Sequence, residues 1–134
     1  MSDAERVFRR QLECVRKDDR EAQLALYSEN CIFEFPFATD RPRRLAGRDE
    51  FRRVMTPLWA EARRLGVVVT GCDAVVHMTT DPEVIVAEFT LTLAGAAEAR
   101  IPFVQVVRVR DGRIAEIREY FSQAARSEAL GRAD

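Results

Sequence analysis

The chain has 134 residues, 47% of them hydrophobic and 32% charged, the balance of one globular domain that buries roughly two-thirds of its unfolded surface. Lys and Arg number 21 against 22 Asp and Glu, so the net charge of −1 excludes the basic footprint of a nucleic-acid or anionic-membrane binder. No apolar run approaches the ~20 residues of a membrane span, and the start MSDAERVFRR lacks the apolar core of a signal peptide, so a cytoplasmic protein is expected.

In chain order, the segment from Asp3 to Lys17 carries Val7, Phe8, Leu12 and Val15 at helical spacing, with arginines opposite. Gln11 falls inside that stripe, either as a polar residue at its edge or as a group aimed at a ligand. Asp18 and Glu21 have the spacing of a capping pair, which predicts a second short helix to about Tyr27. CIFEFPF follows, a β-rich run that Pro36 confines to a strand end or edge. Alternation puts Phe33, Phe35 and Phe37 on one face, as core or pocket wall, with Ile32 and Glu34 on the other. The loop ATDRPRRLAG reads as solvated surface, although its Arg41, Arg43 and Arg44 could meet an anionic ligand.

From Gly47 to Leu65, Phe51, Val54, Met55, Leu58, Trp59, Ala62 and Leu65 give a nearly complete helical stripe. Pro57 either kinks that helix or opens a new segment capped by Thr56. Beyond Gly66 four β runs follow: GVVVTGCDAVVHM, EVIVAEFTLTL, RIPFVQVVRVR and RIAEIREYF. Glu88 alternates away from the face of Ile85, Ala87, Phe89 and Leu91, whereas His77 could point either way. The tail, residues 122–134, reads as flexible or weakly helical, and residues 1–134 as one domain. Helices first and a strand meander afterwards make the class α+β, with the helices on one side of an antiparallel sheet. Three scattered cysteines and one histidine give no disulfide framework or metal cluster, so neither metal nor cofactor is expected.

Asp111-Gly112 is a strong two-residue hairpin signal. A type I′ turn there pairs Arg110 with Arg113 and, without interruption, puts Val106 opposite Ile117, Val104 opposite Glu119 and Pro102 opposite Phe121. Glu119 then stands as the one acid on an apolar face, where it must be hydrogen-bonded, neutralised by a raised pKa, or reached from a pocket. A one-residue slip would break the pairing with Val104, but not the alternation of Glu119 with Ile117 and Phe121. The same register sends Phe103, Val107, Val109 and Tyr120 to the other face, a surplus apolar surface suited to a homodimer.

The helical start, ALYSENCIFEFPFA, GRDEFRRVM and VQVVRVRDGRIAEIREYF together resemble the SnoaL-like branch of the nuclear-transport-factor-two-like superfamily, which includes the ketosteroid isomerases. The resemblance implies a curved antiparallel sheet wrapped around N-terminal helices, a cystatin-like α+β cone with a cone-shaped apolar pocket, usually dimeric. The steroid isomerases' acid-base aspartate falls at Phe35, their first-helix tyrosine near Gln11, their second acidic donor near Val104 and a supporting tyrosine at about Met55. Their catalytic set is therefore absent. REYFSQ is more similar to the small phenazine-biosynthesis proteins of this superfamily and their uncharacterised relatives, and that similarity singles out Glu119 as a pocket acid/base.

The expected site is thus Glu119 as catalytic group, with Gln11, Phe33, Phe35, Met55, Trp59, Phe89, Val104, Ile117 and Phe121 around a small apolar or aromatic molecule. Proton-transfer chemistry of the isomerase, cyclase or dehydratase type fits one such carboxyl. A non-catalytic binding or accessory protein is the alternative, with Glu119 a buried structural glutamate paired with an arginine.

Overall fold

The computed structural model describes residues 1–95 and 97–131. Helix α1 (Asp3–Lys17) starts where Ser2 Oγ accepts from the Glu5 amide (3.1 Å), and it buries Ala4, Phe8, Gln11, Leu12 and Cys14. It ends at Asp18, whose left-handed φ of 54° lets the Asp19 amide reach back to the Cys14 carbonyl (2.9 Å). Asp18 therefore closes the first helix, and Asp19 opens α2 (Arg20–Leu24) by accepting from the Ala22 amide. The capping pair expected at Asp18 and Glu21 does not form: the turn needs Asp18 in the left-handed region, the cap falls on Asp19, and Glu21 is bonded to Arg52 instead.

Strand β1 (Tyr27–Glu34) takes over directly after α2, so Tyr27 begins a strand rather than ending a helix. Phe33 and Phe35 are buried, but Phe37 is 63% exposed, because the chain leaves the sheet before Pro36 and alternation no longer governs it. The loop that follows contains a short strand, β2 (Arg44–Ala46), antiparallel to β1. Helix α3 (Arg48–Arg64) runs through Pro57 as one helix, with Thr56 Oγ1 donating to the Arg52 carbonyl (2.6 Å).

Strands β3 (Val68–Met78), β4 (Val84–Ala94), β5 (Ala99–Arg110) and β6 (Arg113–Phe121) form an antiparallel meander, and β1 pairs parallel to β6. The curved, open six-stranded sheet has the order β2-β1-β6-β5-β4-β3, with α1 and α3 on its concave side. After β6 the chain forms α4 (Gln123–Ala129), opened by Ser122 Oγ accepting from the Ala125 amide and packed against β5. The architecture is the mixed α+β cone; among the described residues, the parallel β1–β6 pair is its one departure from an all-antiparallel sheet.

Asp111 and Gly112 both have positive φ, as a type I′ turn requires, and Arg110 pairs with Arg113 as expected. Ala115 then bulges: Val109 pairs with Ile114, but Arg108 pairs with Glu116. Every pair beyond shifts by one, so Val107 faces Ile117, Gln105 faces Glu119, Val104 faces Tyr120 and Phe103 faces Phe121. The extra residue lets Ile114 and Ile117, an odd number of positions apart, both point into the core. It also overturns the expected dimer residues. Val107 and Val109 are buried inside the domain and Phe103 packs against its core, which leaves only Tyr120 of the four on the outer face.

Candidate functional site

Three cross-strand rows on the concave face set the site. Phe89, Phe103 and Phe121 are register partners on β4, β5 and β6, with Phe89 and Phe103 stacked at 5.1 Å and Phe103 and Phe121 tilted at 5.8 Å. Two residues along lies a polar row of Ala87, Gln105 and Glu119, and two further lie Ile85, Val107 and Ile117. Ala87 carries almost no side chain, so the polar row faces α1 without being covered from β4. These rows floor a cavity of about 440 Å³ that is also lined from α1, α3 and the loop after β1.

Gln11, Phe33, Phe35, Met55, Trp59, Phe89, Ile117, Glu119 and Phe121 all line this cavity. Val104 does not. The bulge turns it to the outer face between Glu88 and Tyr120, so it cannot touch a ligand in the cone. The aromatic wall is held by its own packing: Phe33 stacks on Phe51 at 4.0 Å, and Tyr27 meets both edge-on. Trp59 lies against Phe51 on one side and under the Arg20 guanidinium, 4.6 Å from its ring, on the other.

Glu119 keeps some accessible surface yet lies deep among protein atoms, so that surface belongs to the cavity. Burial raises its carboxyl above the ordinary value of 4.5, and Arg41, the Gln105 hydrogen bond and Arg126 only partly oppose this. Gln105 Nε2 donates to Glu119 Oε1 (3.2 Å). Gln105 Oε1 in turn accepts from Gln11 Nε2 (3.0 Å), and Gln11 Oε1 accepts from the Tyr27 hydroxyl (2.7 Å). That hydroxyl accepts from Gln23 Nε2 (2.9 Å), and Gln23 Oε1 from Arg20 Nη1 (2.8 Å).

Five hydrogen bonds therefore run in one direction from a guanidinium to a carboxyl. Arg20 can only donate, which orients Gln23 and, through it, each later group; Gln105 is left with an N–H for Glu119. Gln11 is thus more than a polar residue at the edge of a stripe. Both its amide atoms are engaged, and one of its N–H groups remains for a ligand.

Arg41 takes the less expected of the two places open to it, in the cavity rather than on the surface. Its loop reads as solvated surface, but its side chain is only 4% exposed and lines the cavity. The guanidinium lies 4.9 Å from the Phe35 ring and 5.3 Å from that of Phe121. Its Nε and Nη2 donate to Asp40 Oδ1 and Oδ2 (2.9 and 3.2 Å), and Arg126 Nη1 also donates to Asp40 Oδ2 (2.5 Å). Arg126 comes from α4, so the tail closes part of the site. The one local signal is the Arg41-Pro42 step, which biases the Arg41 backbone towards the extended region but leaves the direction of its side chain open.

His77 and Glu88 pair with each other outside the cone, with His77 Nε2 3.3 Å from Glu88 Oε2. His77 is therefore no partner for Glu119. Glu34 stands in register between Arg44 and Arg118. Among the described residues, no three His, Cys, Asp or Glu side chains converge, and no helix is long and apolar enough to cross a membrane.

The SnoaL-like domain family matches residues 8–117, and the chain belongs to that family. The uncharacterised protein YesE of Bacillus subtilis (strain 168) is 25% identical over 117 residues, 84% of this chain and 77% of its own. A solved Bacillus subtilis structure, provisionally called an isomerase, matches with a TM-score of 0.85 at 23% identity over 98% of this chain and 94% of that one. RV0760c of Mycobacterium tuberculosis, in complex with estradiol-17β-hemisuccinate, matches with a TM-score of 0.72 at 20% identity, covering 93% of this chain and 98% of that one. These likenesses show that the chain shares the fold of those proteins.

Proposed function

We propose that this SnoaL-like protein is a proton-transfer enzyme of the isomerase, cyclase or dehydratase type, with Glu119 as its general acid/base and a small apolar or aromatic molecule as its substrate. The observation that carries the reading is the carboxyl itself: deep, raised in proton affinity by burial, bordering a cavity, and held by a neutral amide rather than by a hydrogen bond from arginine. In the simplest step its carboxylate removes a proton from carbon next to a substrate carbonyl. The C–H electron pair becomes the C=C bond of an enolate as the carbonyl π pair moves onto oxygen, and the new carboxylic acid returns the proton to the same or another carbon. Gln105 orients Oε1 throughout, and Gln11 holds Gln105.

Exchange of carbon-bound protons for deuterium tests this without knowledge of the natural substrate. With 2-tetralone and related aryl ketones in D2O, the protein should accelerate α-deuteration by about 10²–10⁴-fold, and Glu119→Gln should abolish the gain. Undiminished exchange in that variant removes Glu119 from the reaction.

A second reading, a non-catalytic carrier or accessory protein, is favoured by Phe35, a cavity-lining residue at the place where steroid isomerases carry their acid-base aspartate. It predicts that Phe35→Ala weakens ligand binding while Glu119→Gln leaves it unchanged. Self-association belongs to the outer sheet face, where Val75 is 58% exposed in the same row as Glu88, Val104 and Tyr120. A monomer mass in sedimentation at micromolar concentration rejects a dimer there.

A further inference from the structure

We infer that the cavity takes an organic anion, a carboxylate or enolate on an apolar or aromatic body, and that the Arg41 guanidinium binds its charged oxygen. This deepens the acid-base reading and rests on it for what is done to the ligand, although binding alone tests the anion site.

Arg41 is built for such a contact rather than stranded there. Asp40 takes Nε and Nη2 as a fork, which fixes the plane of the guanidinium. Phe35 and Phe121 lie beneath it, and both rings also line the cavity. The remaining terminal nitrogen, Nη1, has the Met55 sulfur at 3.4 Å. A thioether is a weak acceptor, so a nearly buried charged donor meets a partner that any ligand oxygen would surpass. Asp40 does not cancel Arg41 alone, because its Oδ2 also accepts from Arg126.

The rest of the lining points the same way. Among the described residues, Arg16, Lys17, Arg20, Arg41, Arg63 and Arg126 line the cavity with the acids Asp18 and Glu119; counting also Glu13 and Asp40, which pair with four of these cations, six cations still meet four acids in a chain whose net charge is −1. Such an imbalance around low-dielectric walls draws anions inward.

Calorimetry with matched acids and amides decides the matter. The probes are 2-naphthoate, 4-phenylbutanoate and biphenyl-4-carboxylate, each beside its primary amide of the same shape. Each acid should bind at least about tenfold more tightly than its amide, and the preference should fall as salt rises. Arg41→Met should abolish the preference while amide binding persists, since Arg126 still satisfies Asp40; Arg41→Lys should keep part of it. Equal binding of acid and amide, no acid binding below millimolar, or a preference that survives Arg41→Met would each overturn the anion site. Glu119→Gln separates the two readings. Acid preference retained, with α-deuteration indifferent to that variant, sinks the enzyme and spares the anion site; Glu119-dependent exchange with no acid preference does the reverse.

Discussion

The outer rim and the inner face of the β-meander use the same kinds of side chain to opposite ends. Outside, Arg108 Nη1 reaches Asp81 and Glu83 (3.0 and 2.9 Å), and Arg110 reaches Glu83 as well. The Asp81 carboxyl is held below its ordinary value by the Glu83 amide and by Arg108, and the Glu83 carboxyl by Arg110 and Arg108. Inside, Glu119 accepts from the neutral amide of Gln105, and burial moves it the other way. A carboxyl bonded by arginines gives up its proton early and holds structure together. One bonded by an amide under low dielectric keeps a high proton affinity, which proton transfer needs.

The strongest way to break this comparison is to place a new charge on each face. Val107 is fully buried beside Ile117, whereas its neighbour Val106 is half-buried on the outer face opposite Arg118. Val107→Asp should cost at least about 3 kcal/mol, because the added carboxyl has no partner in the core. Val106→Asp should cost about 1 kcal/mol, the loss of a β-former on an accessible face. Urea unfolding of the two variants measures both. The uninterrupted hairpin register assigns these residues the opposite faces, so reversed magnitudes would restore it and remove Gln105 from Glu119.

That register marks where the sequence stops being legible. The turn at Asp111-Gly112 and the alternation of Ile117, Glu119 and Phe121 are local, and both hold. The bulge at Ala115 is not a local preference; it arises because Ile114 and Ile117 must both reach the core. A hint lies in β5, where Arg108 and Arg110 share a phase with Val104 and Val106 and mark that phase as outward. The polar relay is less visible still. Gln11, Gln23, Tyr27 and Gln105 lie on four different elements, and only the tertiary fold brings them into line. Arg41 escapes for the same reason, since nothing in a loop's composition says which side chains turn inward.

Cutting the relay is the next largest effect. Tyr27→Phe removes one hydroxyl and leaves Gln23 Nε2 without its acceptor and Gln11 Oε1 without its donor, both in buried surroundings. The expected loss is about 1–3 kcal/mol by denaturant unfolding. It should also free the Gln11 and Gln105 amides to turn over, since Arg20 no longer dictates their direction. A loss of a few tenths of a kcal/mol would mean that water replaces the hydroxyl and the relay has no fixed polarity.

Glu119→Gln sharpens the inner side of the comparison through pH. The folded carboxyl titrates above its unfolded value of 4.5, so the folded state holds the proton where the unfolded state has released it. The contribution of Glu119 to native stability therefore falls as pH rises from about 4.5 through the folded pKa, at up to about 1.4 kcal/mol per unit, and then levels off. The substituted amide cannot titrate but still offers Gln105 an oxygen. The variant should match the native protein near pH 4 and exceed it in melting temperature by pH 8. A difference that is flat or opposite in sign would mean that Arg41 and Arg126 dominate burial and that the carboxylate is the resting form.

Glu88 supplies the control on the outer face and the smallest expected change. It lies one residue along β4 from Ala87, whose row contains Gln105 and Glu119, and so points away from them. Its partner is His77 at 3.3 Å, and both side chains are more than half exposed. Water solvates either group if the other is removed, so Glu88→Gln should change stability by less than about 0.5 kcal/mol. It should leave α-deuteration and acid preference unchanged, because no hydrogen bond links Glu88 to the relay among the described contacts. If Glu88→Gln impaired exchange as severely as Glu119→Gln, the two faces would be coupled through the sheet and burial alone could not explain the inner carboxyl's distinct role.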